Sequence, residues 1–220
     1  SLAIDREAII KAEYNGQVKA AQVEPGPQSA HHHPALGKAF IEHDTARANQ
    51  LLDQIGLTQR DIDGMRRLPD GSTLTLYLNF SAFTGIGPGQ FVVDDWARVG
   101  VRAIVREMQR ALFYNKRDSA DFDFMIWTSE SDMFPLLHPS QFVPPDIESY
   151  FAVNWGRWFS RGGFYNPDAV KDLPNAQGPP KGSPMYRAYE VYAEAQQAPT
   201  QAEQARIFRE ALRIAADNVW

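Results

Sequence analysis

Hydrophobic and polar positions along the 220-residue chain switch repeatedly between a period near 3.6 and a period of two. Asp5 is placed to cap a helix that runs to about Tyr14, with Ile9 and Ile10 on its inner side and Gly16 at its end. In HDTARANQLLDQIGL, Asp44 caps a second helix. Its apolar stripe is Ala48, Leu51, Leu52 and Ile55, and Gly56 is its stop. After the turn signals Asp63-Gly64 and Asp70-Gly71, the alternation of Leu74, Leu76, Leu78 and Phe80 predicts a strand with one buried face. A helix follows over 89–99, a strand over 101–106, a helix near 109–115 and a strand over 122–127. Strands that alternate with helices predict an α/β layer architecture with a mixed central sheet flanked by helices. Toward the end, Ser183-Pro184 opens one helix, and Thr200 with Glu203, a capping box, opens another.

Composition narrows the function more than the fold. Apolar residues make up 44% and charged residues 22%, ordinary globular values. A net charge of −5 without a long basic run gives no nucleic-acid surface and no anionic-membrane patch. The absence of cysteine removes disulfides, thiol nucleophiles and thiolate metal sites. No run approaches the roughly 18 apolar residues that span a bilayer. The start, SLAIDREAII, lacks the basic and apolar regions of a signal peptide. The chain opens directly on a helix and stops at Asn218-Val219-Trp220, so it is expected to be a piece of a longer protein.

Visible catalytic patterns are weak. TGIGPGQF sits between a strand and a helix but lacks a Gly-Lys-Ser/Thr end, and Pro88 removes an amide donor, so it reads as a connection. There is no Gly-x-Ser-x-Gly elbow and no His-Glu-x-x-His pair. Asp94-Asp95 reads as a solvated helix face and Asp121/Asp123 as a strand entry, with Asp123 alternatively half-buried there. The stretch 30–43 holds four of the five histidines. His31, His32 and His33 lie on loop chain, His43 follows about ten residues on, and Glu42 is the close carboxylate. A solvated or packing loop is therefore favoured over a metal site, and a metal-dependent hydrolase using His31–His33 with Glu42 or Asp44 remains the rival class. No metal and no cofactor is expected.

The aromatics carry more. Trp127 ends a strand and is followed by Ser129, Glu130 and Asp132. In open α/β sheets ligands collect beyond the carboxyl ends of strands, so Trp127 is equally a pocket wall or a core residue. In SYFAVNWGRWF, the residues Phe151, Trp155 and Trp158 share a face at helical spacing. They are candidates for ligand contact, with core packing somewhat favoured. An exposed aromatic patch for a protein partner is a third possibility.

Five blocks together resemble the extracellular solute-binding proteins, family 5: SLAIDREAII, ANQLLDQIGL, DIDGMRRLPDGSTLTLYL, VVDDWARVGV and FDFMIW. Their order and spacing match over roughly residues 1–127. WGRW, a double proline and QARIFREALRIAADNVW are similar to the longer members. The resemblance implies one lobe of a two-lobed, type II periplasmic-binding-protein clamshell, with residues 1–220 forming a single C-terminal α/β lobe. It implies a monomeric, periplasmic or extracellular, membrane-associated receptor that passes a peptide or oligosaccharide to the permease of an ABC importer, without catalysis. In peptide-binding members, an acidic residue after the FDFMIW block pairs with the peptide's amino terminus. Glu130 and Asp132 are both eligible here. The segment departs from the usual Gly-Trp-x-x-Asp form, because Ile126 replaces the glycine and Glu130 holds the acidic spacing.

Overall fold

The computed structural model describes residues 1–128, 133–149 and 151–220. These fall into two compact units. The first comprises Ser1–Ala20, Phe40–Tyr114 and Phe122–Thr128; the second comprises Ala21–Ala39, Asn115–Asp121 and Ser129–Trp220.

The first unit is an α/β layer built on a three-stranded sheet of order β2-β1-β3, with β1 at Thr75–Ser81, β2 at Arg102–Met108 and β3 at Phe124–Ile126. All three strands run parallel, with Leu78 opposite Val105 on one side and Phe124 on the other. Hydrophobic alternation says nothing about strand direction, and antiparallel pairing among the described residues is limited to the isolated bridges Arg60–Arg66 and Arg67–Thr73. Leu78 and Phe80 are buried as the alternation requires, but Asn79 and Ser81 on the other face are buried too. The end of the central strand is thus covered on both faces, as parallel sheets usually are.

Helix α1 (Arg6–Tyr14) is capped by Asp5, which accepts a hydrogen bond from the Ala8 amide, and α2 (Thr45–Gln54) by Asp44, which accepts from Arg47. Gly56, at φ +91°, takes the left-handed conformation just past α2. Two expectations for this region fail. Leu51 and Ile55 are exposed, Ile55 at 71%, because α2 turns only Ala48 and Leu52 toward the small core of Leu2, Ala3, Val99 and Val101. Asp95 does not belong to a solvated face. It is 2% exposed on α3 (Gly87–Arg98), where it accepts the Asp5 amide hydrogen at 2.8 Å and pairs with Arg98. The burial of Arg66 was not foreseen either. Its guanidinium bonds Asp53 Oδ1 at 2.6 Å, Asn49 Oδ1 at 2.7 Å and the carbonyls of Val99 (2.8 Å) and Leu57.

Helix α3 lies on the Val105/Ile126 face of the sheet. A Cβ at Gly89 would stand 3.0 Å from Ile126 and 3.5 Å from Val105, so a residue without a side chain lets the helix approach. Helix α4 (Arg110–Asp118) follows β2 after one residue.

The second unit is mainly helical among the described residues. It contains α5 (Val153–Ser160), α6 (Pro184–Gln197) and α7 (Gln201–Asn218). Ser183 and Thr200 cap the last two, accepting from the amides of Tyr186 and Glu203. Met185, Ala188, Tyr189, Val191 and Tyr192 of α6 pack against Phe208, Ala211 and Leu212 of α7. The buried Tyr189 hydroxyl donates to the Pro144 carbonyl at 2.7 Å. No described helix is long and apolar enough to cross a membrane.

Candidate ligand-binding site

Because the three strands run parallel, their carboxyl ends share one edge, where Ser81, Met108 and Ile126 lie. At the ends of β1 and β2 this edge opens into a cleft of about 640 Å³, lined by Ser81, Ala82, Glu107, Met108, Gln109 and Arg110. Such an edge is where open α/β sheets hold ligands, because loops and helix starts diverge there and leave room.

Trp127 emerges at the same edge, directly after β3, and is half-buried. Its indole stacks on Phe113 of α4 with centroids 5.1 Å apart and planes 28° apart, and meets Tyr114 at 5.7 Å. Arg110 completes the arrangement. Its Nε and Nη2 donate to the Tyr114 hydroxyl at 3.1 and 2.9 Å, and its guanidinium carbon lies 5.7 Å from the Trp127 ring centroid. Positions 110, 113 and 114 are neighbours on one helix face, so α4 presents a cation and two rings to one indole. Phe113 is fully buried and anchors the group. Sequence reading found Trp127 but missed Arg110, Phe113, Tyr114 and Glu107. The available signal was the start of α4 one residue after the end of a strand.

The carboxylates expected after Trp127, Glu130 and Asp132, lie outside the described residues. The other aromatic candidates belong to the second unit. Trp158 is 7% exposed and meets Tyr189 at 5.8 Å and Phe164 edge-on at 6.2 Å, with Gly163 and Gly178 lying flat against its indole. Trp155 and Phe151 are half-buried against the same core, and Phe151 stacks on Trp220 at 5.9 Å. Trp155 and Phe151 therefore keep accessible ring surface, whereas Trp158 keeps little.

His31, His32 and His43 lie against local neighbours, while Nδ1 of His31 and of His33 is buried without a hydrogen-bond partner among the described residues. His31 meets Phe208 edge-on at 5.7 Å, and its affinity for a proton is lowered, first by burial and then by the charge of Arg209. His32 Nδ1 is 2.9 Å from the Pro25 carbonyl and 3.7 Å from Glu24. His43, in the first unit, sits 3.7 Å from Asp5. Asp44 is occupied as a helix cap. Among the described residues no three histidine or acidic side chains converge to hold a metal ion. Asp123 is also structural, since it accepts the Tyr77 amide hydrogen at 2.9 Å and extends the edge of the sheet.

The family model for the bacterial extracellular solute-binding proteins, family 5, matches residues 1–140. The chain belongs to that family. No curated protein sequence matches it. Among solved structures, an oligopeptide-binding protein OppA aligns over 100% of this chain and 35% of its own, at 31% identity and a TM-score of 0.81. The Agrobacterium fabrum C58 periplasmic binding protein MelB, solved with stachyose, is 15% identical over 99% of this chain and 31% of its own, with a TM-score of 0.69. Brucella suis NikA, solved with Fe(III)-EDTA, is 17% identical over 98% of this chain and 39% of its own, with a TM-score of 0.68. The last two share the fold. The chain spans only 31–39% of the length of these solved structures.

Proposed function

We propose that this chain supplies the second, C-terminal lobe of a family 5 receptor that captures oligopeptides, or a related small solute, and delivers them to the membrane permease of an ABC importer. The receptor is periplasmic or extracellular, acts as a monomer and leaves its solute chemically unchanged. Family membership and the 31% identity to an oligopeptide-binding protein support this reading. The observation that carries it is the carboxyl-edge site, where the Trp127 ring, backed by Phe113 and Arg110, stands at the edge that also holds the cleft.

In this role Trp127 offers an apolar surface to the solute. Glu130 or Asp132 pairs with a peptide ammonium by a charge-assisted hydrogen bond. Within the second unit, Trp155 and Phe151 are the further candidates for ligand contact, and Trp158 belongs to that unit's core. Oligosaccharide capture is the second reading, because flat rings stack equally well on sugars.

Calorimetry on the complete receptor tests both. Tri- and tetrapeptides are expected to bind, and Glu130→Gln or Asp132→Asn is expected to weaken peptides with a free amino terminus far more than acetylated ones. Binding of oligosaccharides but of no peptide would overturn the peptide reading.

A further inference from the structure

The cleft at the ends of β1 and β2 contains two charged side chains, Glu107 and Arg110, and the surrounding structure treats them differently. Arg110 is engaged, through the Tyr114 hydroxyl and the rings of Tyr114 and Trp127. Glu107 makes no ion pair or hydrogen bond through its side chain among the described residues, is exposed and lines the cleft. Its sequence neighbour does not neutralise it. Successive side chains of a strand point to opposite faces, and Arg106 lies over the Tyr77 ring, 3.3 Å from its centroid, on the face away from Glu107. Ser81, Ala82, Met108 and Gln109 also line the cleft, so a long side chain with a polar end meets both apolar and polar neighbours there.

We infer that this cleft is a subsite for a positively charged group of the solute, a lysine or arginine side chain of a bound peptide, and that Glu107 is its specificity-determining residue. The inference rests on the peptide-receptor reading above. A guanidinium or ammonium entering at the carboxyl edge meets one carboxylate that has no ion-pair partner among the described residues. An acidic side chain entering there meets that carboxylate as a like charge. The preference is therefore set by the Glu107 carboxylate, because the Arg110 guanidinium in the same cleft is turned to the Tyr114 hydroxyl and the rings of Tyr114 and Trp127.

The test uses the complete receptor and three tripeptides of identical frame that carry lysine, norleucine or glutamate at one position, each position in turn, with affinities measured by calorimetry. At one position the wild-type receptor is expected to prefer lysine over norleucine about tenfold and to disfavour glutamate. Glu107→Gln is expected to abolish both differences, with unchanged circular dichroism and thermal unfolding to show that the variant folds. Glu107→Lys is expected to reverse the order. Charge preferences that Glu107→Gln leaves intact, or a wild-type preference for glutamate, would overturn the subsite while sparing the receptor. If no peptide binds at any charge, the receptor reading fails and the subsite fails with it.

Discussion

Arg66 and Asp53 form a 2.6 Å ion pair in which the arginine side chain is 1% exposed and the aspartate 53% exposed. The pair joins α2 to the segment that leads into β1, and the same guanidinium also satisfies backbone carbonyls at Leu57 and Val99. Arg66→Ala removes the donor and strands several acceptors, so about 3–5 kcal/mol of stability should be lost. Asp53→Asn, on the exposed partner, should cost less than about 1.5 kcal/mol. Urea unfolding of the two variants measures the difference, and equal losses would mean that the exposed ion pair, not the buried carbonyl bonds, dominates.

Asp95 poses the same problem with the sign reversed. Its buried carboxylate accepts from the Asp5 amide and pairs with Arg98, tying the start of α1 to α3. Asp95→Ala should destabilise by about 1–3 kcal/mol, and hydrogen exchange should show faster opening of α1 than of β1. Uniform opening of both would count against a local tie.

Trp127 bears on binding. In the complete receptor, Trp127→Ala should weaken solute affinity by about 1–3 kcal/mol through lost stacking and burial. Phe113→Leu keeps the apolar anchor but removes the stacked ring, and should produce a smaller loss of the same sign. Unchanged affinity in a folded Trp127→Ala receptor would assign the indole to packing alone.

His31 gives a pH dependence with a definite direction. Its folded proton affinity lies below the ordinary value of 6.5, chiefly because of burial. Below that pH the unfolded chain binds more protons than the folded one, so the stability contributed by neutral His31 is complete above about 6.5 and is lost as pH falls through and below it. His31→Phe keeps a ring against Phe208 and should flatten this part of the stability profile, as thermal unfolding between pH 5 and 8 would reveal.

Thr200 caps the longest described helix, α7, through the Glu203 amide. Thr200→Ala should cost about 1 kcal/mol, read as a lowered denaturant midpoint at constant slope.

These cases separate what local pattern can reveal from what it cannot. The caps at Asp5, Asp44, Ser183 and Thr200 were readable because each depends on residues three positions away. The strand at 75–81 was readable because alternation is local. Arg66 and Asp95 were not. Their burial is set by partners distant in sequence, Val99 for the first and the Asp5 amide for the second, and a charged residue carries no local mark of such company. Leu51 and Ile55 failed the other way, since helical spacing places them on a stripe but does not fix how wide a stripe the core will cover. Of the site, Trp127 was legible as the residue after a strand. The α4 group that holds it was not, because its members meet Trp127 only once β3 has joined the sheet.

The strand order has one last consequence, for the newly made chain. β1 is central yet comes first, and its partners begin at Arg102 and Phe124. Until residue 126 has been synthesised, TLYLNFS keeps at least one row of unbonded backbone groups and carries no charge to deter self-association. A nascent chain halted between residues 81 and 126 is thus a ready substrate for a holding chaperone and, without one, a seed for aggregation.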